Sequence, residues 1–199
     1  MTSTMRVADH AIDPIFPARW SPRAFDGTPL TMEELLPLFE AARWAPSSFN
    51  AQPWRFLYAL RGSSEWDRFL DMLLPFNRVW AQQAGALVLV LSDTKMAPPQ
   101  GGDPVPSHSH SFDAGAAWAL LALQAQAGGL HSHGMTGLDF AKARETLNVP
   151  ERFRIEAAIA IGRMGDPETL PEALRAREHP SPRRPIVGSI SAGAFPDGW

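Results

Sequence analysis

Residues 85–91 read Gly-Ala-Leu-Val-Leu-Val-Leu, an apolar run without a polar residue. A strand with one wet face alternates apolar and polar side chains, whereas a continuous run suits a strand covered on both faces. The chain must then supply a layer on each side of that strand, and an apolar content of 45% is enough for such a core. The same run is the longest strongly apolar stretch, far short of the ~20 residues that a membrane-spanning helix needs. The opening MTSTMRVADHAIDPIF has no apolar signal core. The expectation is a soluble, cytoplasmic protein with no membrane partner.

Helical and strand patterns alternate along the remainder. Thr31 to Glu34 reads TMEE, the spacing of a capping box. Leu35, Leu38, Phe39 and Ala42 then share one helical face. Pro37 should kink the first turns or delay the start, and Ala45-Pro46 should end the helix. Pro53–Leu60 reads as a strand and Glu65–Leu74 as an amphipathic helix. Thr94–Ser111 reads as an 18-residue loop. Phe112–Ala127 is apolar nearly all round and predicts a buried helix. Asp139–Leu147 predicts a short helix capped by Asp139. Arg154–Gly162 alternates Ile155, Ala157, Ile159 and Ile161, a strand pattern. Residues 1–18 read as a loosely held start, and 166–199 as a Pro/Arg-rich arm or surface-hugging tail. Trp44, Trp54, Trp80 and Trp118 sit in apolar contexts and are expected in the core, with Trp20 partly exposed. The pattern argues an α+β or α/β layered structure, with the 199 residues forming one domain.

The absence of cysteine excludes disulfides, thiolate metal sites and Cys nucleophiles. Lys and Arg number 18 against 21 Asp and Glu, so no basic excess exists to hold nucleic acid.

Two segments carry most of the chemistry. In Arg19-Trp20-Ser21-Pro22-Arg23-Ala24-Phe25, two arginines four residues apart flank a serine. Guanidinium forks and a hydroxyl suit a phosphate or carboxylate, although a solvated basic turn has the same composition. Ala45-Pro46-Ser47-Ser48-Phe49-Asn50-Ala51-Gln52-Pro53-Trp54 packs two hydroxyls and two amides between a helix end and a strand. Such groups both donate and accept hydrogen bonds, which suits a polyol chain joined to a heteroaromatic ring, or else the loop's own backbone.

Together with motifs further along the chain, these segments resemble the nitroreductase family of FMN-dependent oxidoreductases. Asn77-Arg78-Val79-Trp80 before the apolar run, Phe112-Asp113-Ala114-Gly115-Ala116-Ala117, Gly128-Gly129-Leu130 through Met135-Thr136-Gly137, Ala160-Ile161-Gly162 and Pro182-Arg183-Arg184-Pro185 come in the family's order. The resemblance spans about residues 15–187. It implies one nitroreductase-like FMN-binding domain over 1–199 with a C-terminal arm at about 166–199. The implied fold is an α+β three-layer sandwich with a central mixed or antiparallel sheet flanked by helices. It also implies an intertwined homodimer with FMN at the interface, in which the helix Phe112–Ala127 lies at the dimer core and the arm reaches over the partner.

By position, the resemblance makes Arg19 and Ser21 phosphate ligands and sets Arg23 towards the N1/C2 carbonyl side of the flavin ring. Ser47, Ser48, Asn50 and Gln52 would line the ribityl chain and ring. Asn77 would bind the pyrimidine edge, and Gly137 would present a backbone N–H near N5, in what resembles the family's glycine-rich turn. Arg183 would close the phosphate site, with Arg184 sharing that role. The implied reaction passes hydride from NADH or NADPH through FMN N5 to an electron-poor small molecule such as a nitroaromatic or quinone. The flavin carries the chemistry, so no catalytic side chain is assigned; His133 and Thr136 are weak substrate-side candidates.

The chain departs from the family's pattern at two positions. Many members carry a second base two residues before the arginine matched by Arg183, and here that residue is Ser181. Some carry an acid before the N5 glycine, and here it is Thr136. The first departure motivates an alternative, a flavin-binding sensor or storage protein without fast turnover. A second alternative, a metal enzyme, rests on the pairs His108/His110 and His131/His133. The favoured reading has no metal.

Overall fold

The computed structural model describes residues 6–196. The expected start at 1–18 and arm at 166–199 therefore extend at 1–5 and 197–199 outside the described residues. In chain order the elements are α1 (Ile15–Ala18), α2 (Met32–Arg43), β1 (Trp54–Leu60), α3 (Trp66–Leu70), α4 (Pro75–Ala81), β2 (Ala86–Asp93), β3 (Lys95–Met96), β4 (Val105–Pro106), α5 (His110–Ala127), β5 (His131–Met135), α6 (Phe140–Thr146), β6 (Phe153–Gly162) and α7 (Glu172–Arg175). Four strands form a sheet in the order β1-β2-β6-β5, and every pairing in it is antiparallel.

All eight residues of β2 are buried, as the unbroken apolar run requires. Their side chains divide with period two. Leu87, Leu89 and Leu91 pack with Trp66, Phe69 and Leu70 of α3, Trp80 of α4 and Ala143 of α6. Ala86, Val88 and Val90 pack with Leu35, Leu38 and Ala42 of α2 and Ala114, Ala117 and Leu121 of α5. This is the three-layer arrangement, with helices on both faces of one sheet.

Local signals account for most boundaries. Thr31 Oγ1 accepts from the Glu34 N–H at 3.3 Å, and Glu34 Oε2 accepts from the Thr31 N–H at 2.9 Å, so the capping box forms. Pro37 does not delay α2, which begins at Met32. Its ring lies on the exposed face, where water can serve the Glu33 carbonyl left without a helical donor. Asp139 caps α6 by accepting from the Lys142 N–H at 2.9 Å.

Five expectations need correction. The segment 65–74 is not one helix: α3 stops at Leu70, and the backbone of 72–74 pairs instead with 137–139. Leu74 N–H donates to the Gly137 carbonyl at 3.1 Å and Asp139 N–H to the Met72 carbonyl at 2.8 Å. The loop 94–111 holds the small β3–β4 hairpin, and α5 starts within it at His110. Residues 131–135 form an edge strand on β6 where the motif resembled a turn. Helix α5 is buried on one face only; Phe112, Gly115, Ala119 and Ala127 lie exposed along the other. Trp44 is 72% exposed, with its indole N–H on Glu40 at 2.9 Å and Arg43 over its ring, whereas Trp54 and Trp80 are buried as expected. Among the described residues, no helix is long and apolar enough to cross a membrane.

Replacing Thr31 with Ala removes one side of the capping box, and we expect a loss of about 1 kcal/mol. A urea titration should show the midpoint falling at unchanged slope.

Candidate functional site

The segment 19–25 leaves α1 at Arg19, whose N–H closes the helix on Ile15 at 2.9 Å. It then runs beside the strand end at 163–165. Phe25 bridges Met164, and Gly165 N–H donates to the Ala24 carbonyl at 2.8 Å. A Cβ on Gly165 would lie 2.4 Å from the Phe25 carbonyl oxygen, so this approach requires glycine.

Glu178 holds the segment from the C-terminal side. Its Oε1 accepts from the N–H groups of Arg23 and Ala24 at 2.6 and 2.8 Å, and its Oε2 lies 3.8 Å from Arg23 Nη1. Burial pushes the Arg23 guanidinium down from its ordinary pKa, and Glu178 opposes that shift. From the N-terminal side, Arg6 donates to the carbonyls of Pro17 and Arg19.

These segments enclose a cleft of about 310 Å³ lined by Arg6, Arg19, Trp20, Ser21, Arg23, His133, Arg177, His179, Ser181 and Arg183. Arg19 Nη1 donates to Ser21 Oγ at 3.4 Å. Burial first, and Arg183 second, lower the Arg19 pKa; burial, Arg183 and Arg19 do the same to Arg6. Among the described residues neither these three arginines nor Arg177 forms an ion pair, so four guanidinium groups line the cleft without a carboxylate bound to any of them. Such a cluster has the donor set that suits an anion such as a carboxylate or phosphate.

His133, on β5, forms the inner wall. Its Nδ1 lies 2.9 Å from the Pro22 carbonyl, which accepts, so the proton resides on Nδ1 and Nε2 keeps its lone pair. Its ring packs against Trp80 of α4 at 4.6 Å. Burial pushes its pKa down to about 4, with Arg23 and Arg19 adding to the shift and the Pro22 bond opposing it. The group is neutral at pH 7.

Asn77 of α4 is buried and donates through Nδ2 to the Gly137 carbonyl at 3.0 Å. A Cβ on Gly137 would lie 2.5 Å from both Asn77 Nδ2 and a Phe76 ring carbon. The Gly137 N–H makes no hydrogen bond among the described residues. Thr136 beside it is exposed.

The turn 47–52 stands apart from the cleft, and none of Ser47, Ser48, Asn50 or Gln52 lines it. Ser48 N–H donates to Asp113 Oδ2 at 3.2 Å and Gln52 N–H to Ser47 Oγ at 3.0 Å. Phe49, Asn50 and Gln52 have φ of 51°, 54° and 47°. Three non-glycine residues held in the left-handed region mark a strained segment.

The structure therefore gathers Arg19, Ser21, Arg23, His133 and Arg183 into one cleft and pairs Asn77 with Gly137. Arg184, expected to share the role of Arg183, does not line the cleft. Sequence reasoning missed Arg6, Arg177, Glu178 and His179. The run Arg177-Glu178-His179 is visible as a charge cluster in the tail, whereas Arg6 carries no signal. The two His pairs do not converge: His110 Nδ1 meets Ser92 Oγ at 2.7 Å on another face, and among the described residues no three His, Cys, Asp or Glu side chains could hold a metal.

Comparisons with known proteins show what the whole chain is similar to. A family model described as the nitroreductase family matches residues 17–86 and 73–163. A crystal structure described as an oxidoreductase containing FMN is 44% identical, covers 98% of this chain and 99% of its own, and superposes with a TM-score of 0.93. The iodotyrosine deiodinase of Thermotoga neapolitana is 26% identical over 161 residues, 69% of this chain and 80% of that protein. The Bacillus subtilis protein YdgI, provisionally named an NAD(P)H nitroreductase, is 37% identical over 84 residues, 42% of this chain and 39% of its own.

One prediction concerns His133. Its folded pKa lies below the ordinary value near 6.5, so the unfolded chain binds the extra proton between about pH 4 and 6.5. The contribution is complete above pH 6.5 and is lost as pH falls towards 4, on the order of 3 kcal/mol across the window. Urea unfolding of the flavin-free protein at stepped pH should show this decline, and His133→Asn should flatten it.

Proposed function

The chain belongs to the nitroreductase family, and on that premise we propose that it is an FMN-dependent oxidoreductase that passes hydride from NADH or NADPH to an electron-poor acceptor such as a nitroaromatic or quinone. The observation that carries this reading is the cleft with its four unpaired guanidinium groups and the Ser21 hydroxyl. That donor set fits a phosphate monoester, whose dianion can take several charge-assisted hydrogen bonds. The likeness to an FMN-containing oxidoreductase along nearly the whole chain supports the same ligand.

When bound, FMN supplies the hydride acceptance and release at N5. The chain's own residues bind, orient and tune. Arg19, Arg183 and Ser21 would hold and neutralise the phosphate. Arg23, whose backbone N–H is held by Glu178, would set a positive charge beside the N1/C2 edge, where it favours the reduced ring. Asn77, already anchored on Gly137, would orient the pyrimidine edge. The free Gly137 N–H would donate at N5, and no side-chain acid or base is required there. Thr136, exposed next to it, would shape the acceptor side.

The polar turn Ser47, Ser48, Asn50 and Gln52 would reach the ribityl chain and ring from a second copy. Two observations favour such a homodimer. The turn is absent from its own chain's cleft, and α5, whose Asp113 anchors it, leaves an apolar face exposed. Sedimentation should then give a particle of twice the 21.8 kDa chain mass.

Flavin titration followed by quenching of FMN fluorescence tests the cofactor. About one FMN per chain is expected, and Arg19→Ala should weaken binding roughly 10- to 100-fold, the worth of one charged hydrogen bond. Unchanged affinity in that variant would overturn the phosphate assignment. Anaerobic NADH or NADPH should bleach the bound flavin within the mixing time of an enzyme assay; a flavin that stays yellow would make the protein a binder.

A further inference from the structure

We propose that Arg6 is a third phosphate-binding arginine, occupying with its guanidinium the corner of the cleft where Ser181 offers no charge. The inference rests on the FMN reading above and extends it to a residue outside every motif that suggested that reading.

The geometry at Arg6 is specific. Its Nε donates to the Pro17 carbonyl at 2.8 Å, its Nη2 to the Arg19 carbonyl, and its Nη1 to the Ser181 carbonyl at 3.4 Å. A guanidinium has five N–H groups, so these three bonds fix its plane and leave two free. The carbonyls carry no formal charge, so the cation remains unneutralised. Arg6 lies 13 residues before Arg19 and 175 before Ser181, yet it bonds both. It thus sits between the two segments expected to grip a phosphate, 19–21 and 181–183.

Two of these guanidinium groups depress a neighbour. Arg183 and Arg19 lower Arg6, and Arg183 lowers Arg19. Like charges this close repel, and neighbouring carboxylates are the usual remedy. Here the nearby carboxylate, Glu178, is committed to Arg23 and the backbone of 23–24. Much of the charge left over is what a bound phosphate dianion would neutralise.

The same contacts give Arg6 a second consequence. It joins the N-terminal segment to the C-terminal one, and Ile186 N–H on Asp9 Oδ2 at 3.4 Å makes a further tie. A phosphate on Arg6, Arg19 and Arg183 would link both ends of the chain through one ligand. FMN and inorganic phosphate should both protect residues 6–19 from hydrogen exchange, whereas riboflavin, which lacks the phosphate, should not.

Comparison of FMN with riboflavin separates a phosphate ligand from a structural clamp. Dissociation constants are read by fluorescence quenching in wild type, Arg6→Ala, Arg6→Gln and Arg19→Ala. The Gln variant keeps an N–H donor for the carbonyls but removes the charge. The expected result is a roughly 10- to 100-fold loss of FMN affinity in both Arg6 variants, riboflavin affinity changing less than about 2-fold, and partial recovery when Ser181→Arg is added. Unchanged FMN affinity in the Arg6 variants with a loss in Arg19→Ala overturns the role of Arg6 alone. Equal losses for FMN and riboflavin overturn it in favour of a clamp. FMN affinity that survives both the Arg6 and Arg19 variants overturns the phosphate reading itself.

Discussion

Strand β2 is buried along its whole length, and that burial commits the rest of the chain. A strand covered on both faces needs a helical layer on each side, and each buried leucine contributes roughly 1.5–3 kcal/mol only if the layer is there. Odd positions draw α3, α4 and α6, and even positions draw α2 and α5. With both edges of β2 occupied by β1 and β6, a fourth strand must add to the outer edge of one of these two, and β5 pairs with β6. That placement brings His133 against Trp80 of α4 and under the segment 19–25. The cleft therefore follows from how the core is layered.

The cleft is basic in a chain whose net charge is −3. Overall charge says little about a site, because charges separated by more than a Debye length of about 8 Å are screened from one another at physiological salt. Gathering Arg6, Arg19 and Arg183 costs folding energy through desolvation and repulsion, and the lowered pKa values of Arg6 and Arg19 record both. A ligand that binds only the folded chain returns stability as its concentration exceeds Kd, about 2.7 kcal/mol at a hundredfold excess. The arrangement is thus suited to a resident ligand more than to one that visits.

Legibility depends on the range of each interaction. The β2 run, the Thr31 capping box, the Asp139 cap and the alternation in β6 are local signals, and each element forms near its expected bounds. Apolar neighbours in sequence place Trp44 in the core wrongly, because the phase of Leu35, Leu38 and Ala42 turns position 44 to solvent. Strand β5 reads His-Ser-His-Gly-Met and has no strand composition. It is extended because β6 offers a free edge and because Gly134 fits against Trp118, where a Cβ would lie 3.1 Å from the ring. Motif resemblance identifies Arg19, Ser21, Arg23 and Arg183 because they carry a spacing. Glu178 and Arg6 act across 155 and 175 residues, and no periodicity connects positions so far apart.

The turn at 47–52 shows how fold and site meet under the proposed dimer. Three non-glycine residues in left-handed conformations cost on the order of 1–3 kcal/mol each, so something must hold them. The first turn of α5 does, through Asp113, which accepts from both the Ser48 N–H and the Ser109 hydroxyl. The same helix presents Phe112, Gly115 and Ala119 to solvent. Burying that face against a second copy would fix the position of Asp113 relative to the partner's cleft, and with it the position of Ser47, Ser48 and Asn50. Strain in the turn would then serve alignment: a relaxed loop could wander, whereas one pinned to the helix at the interface can only go where the interface puts it.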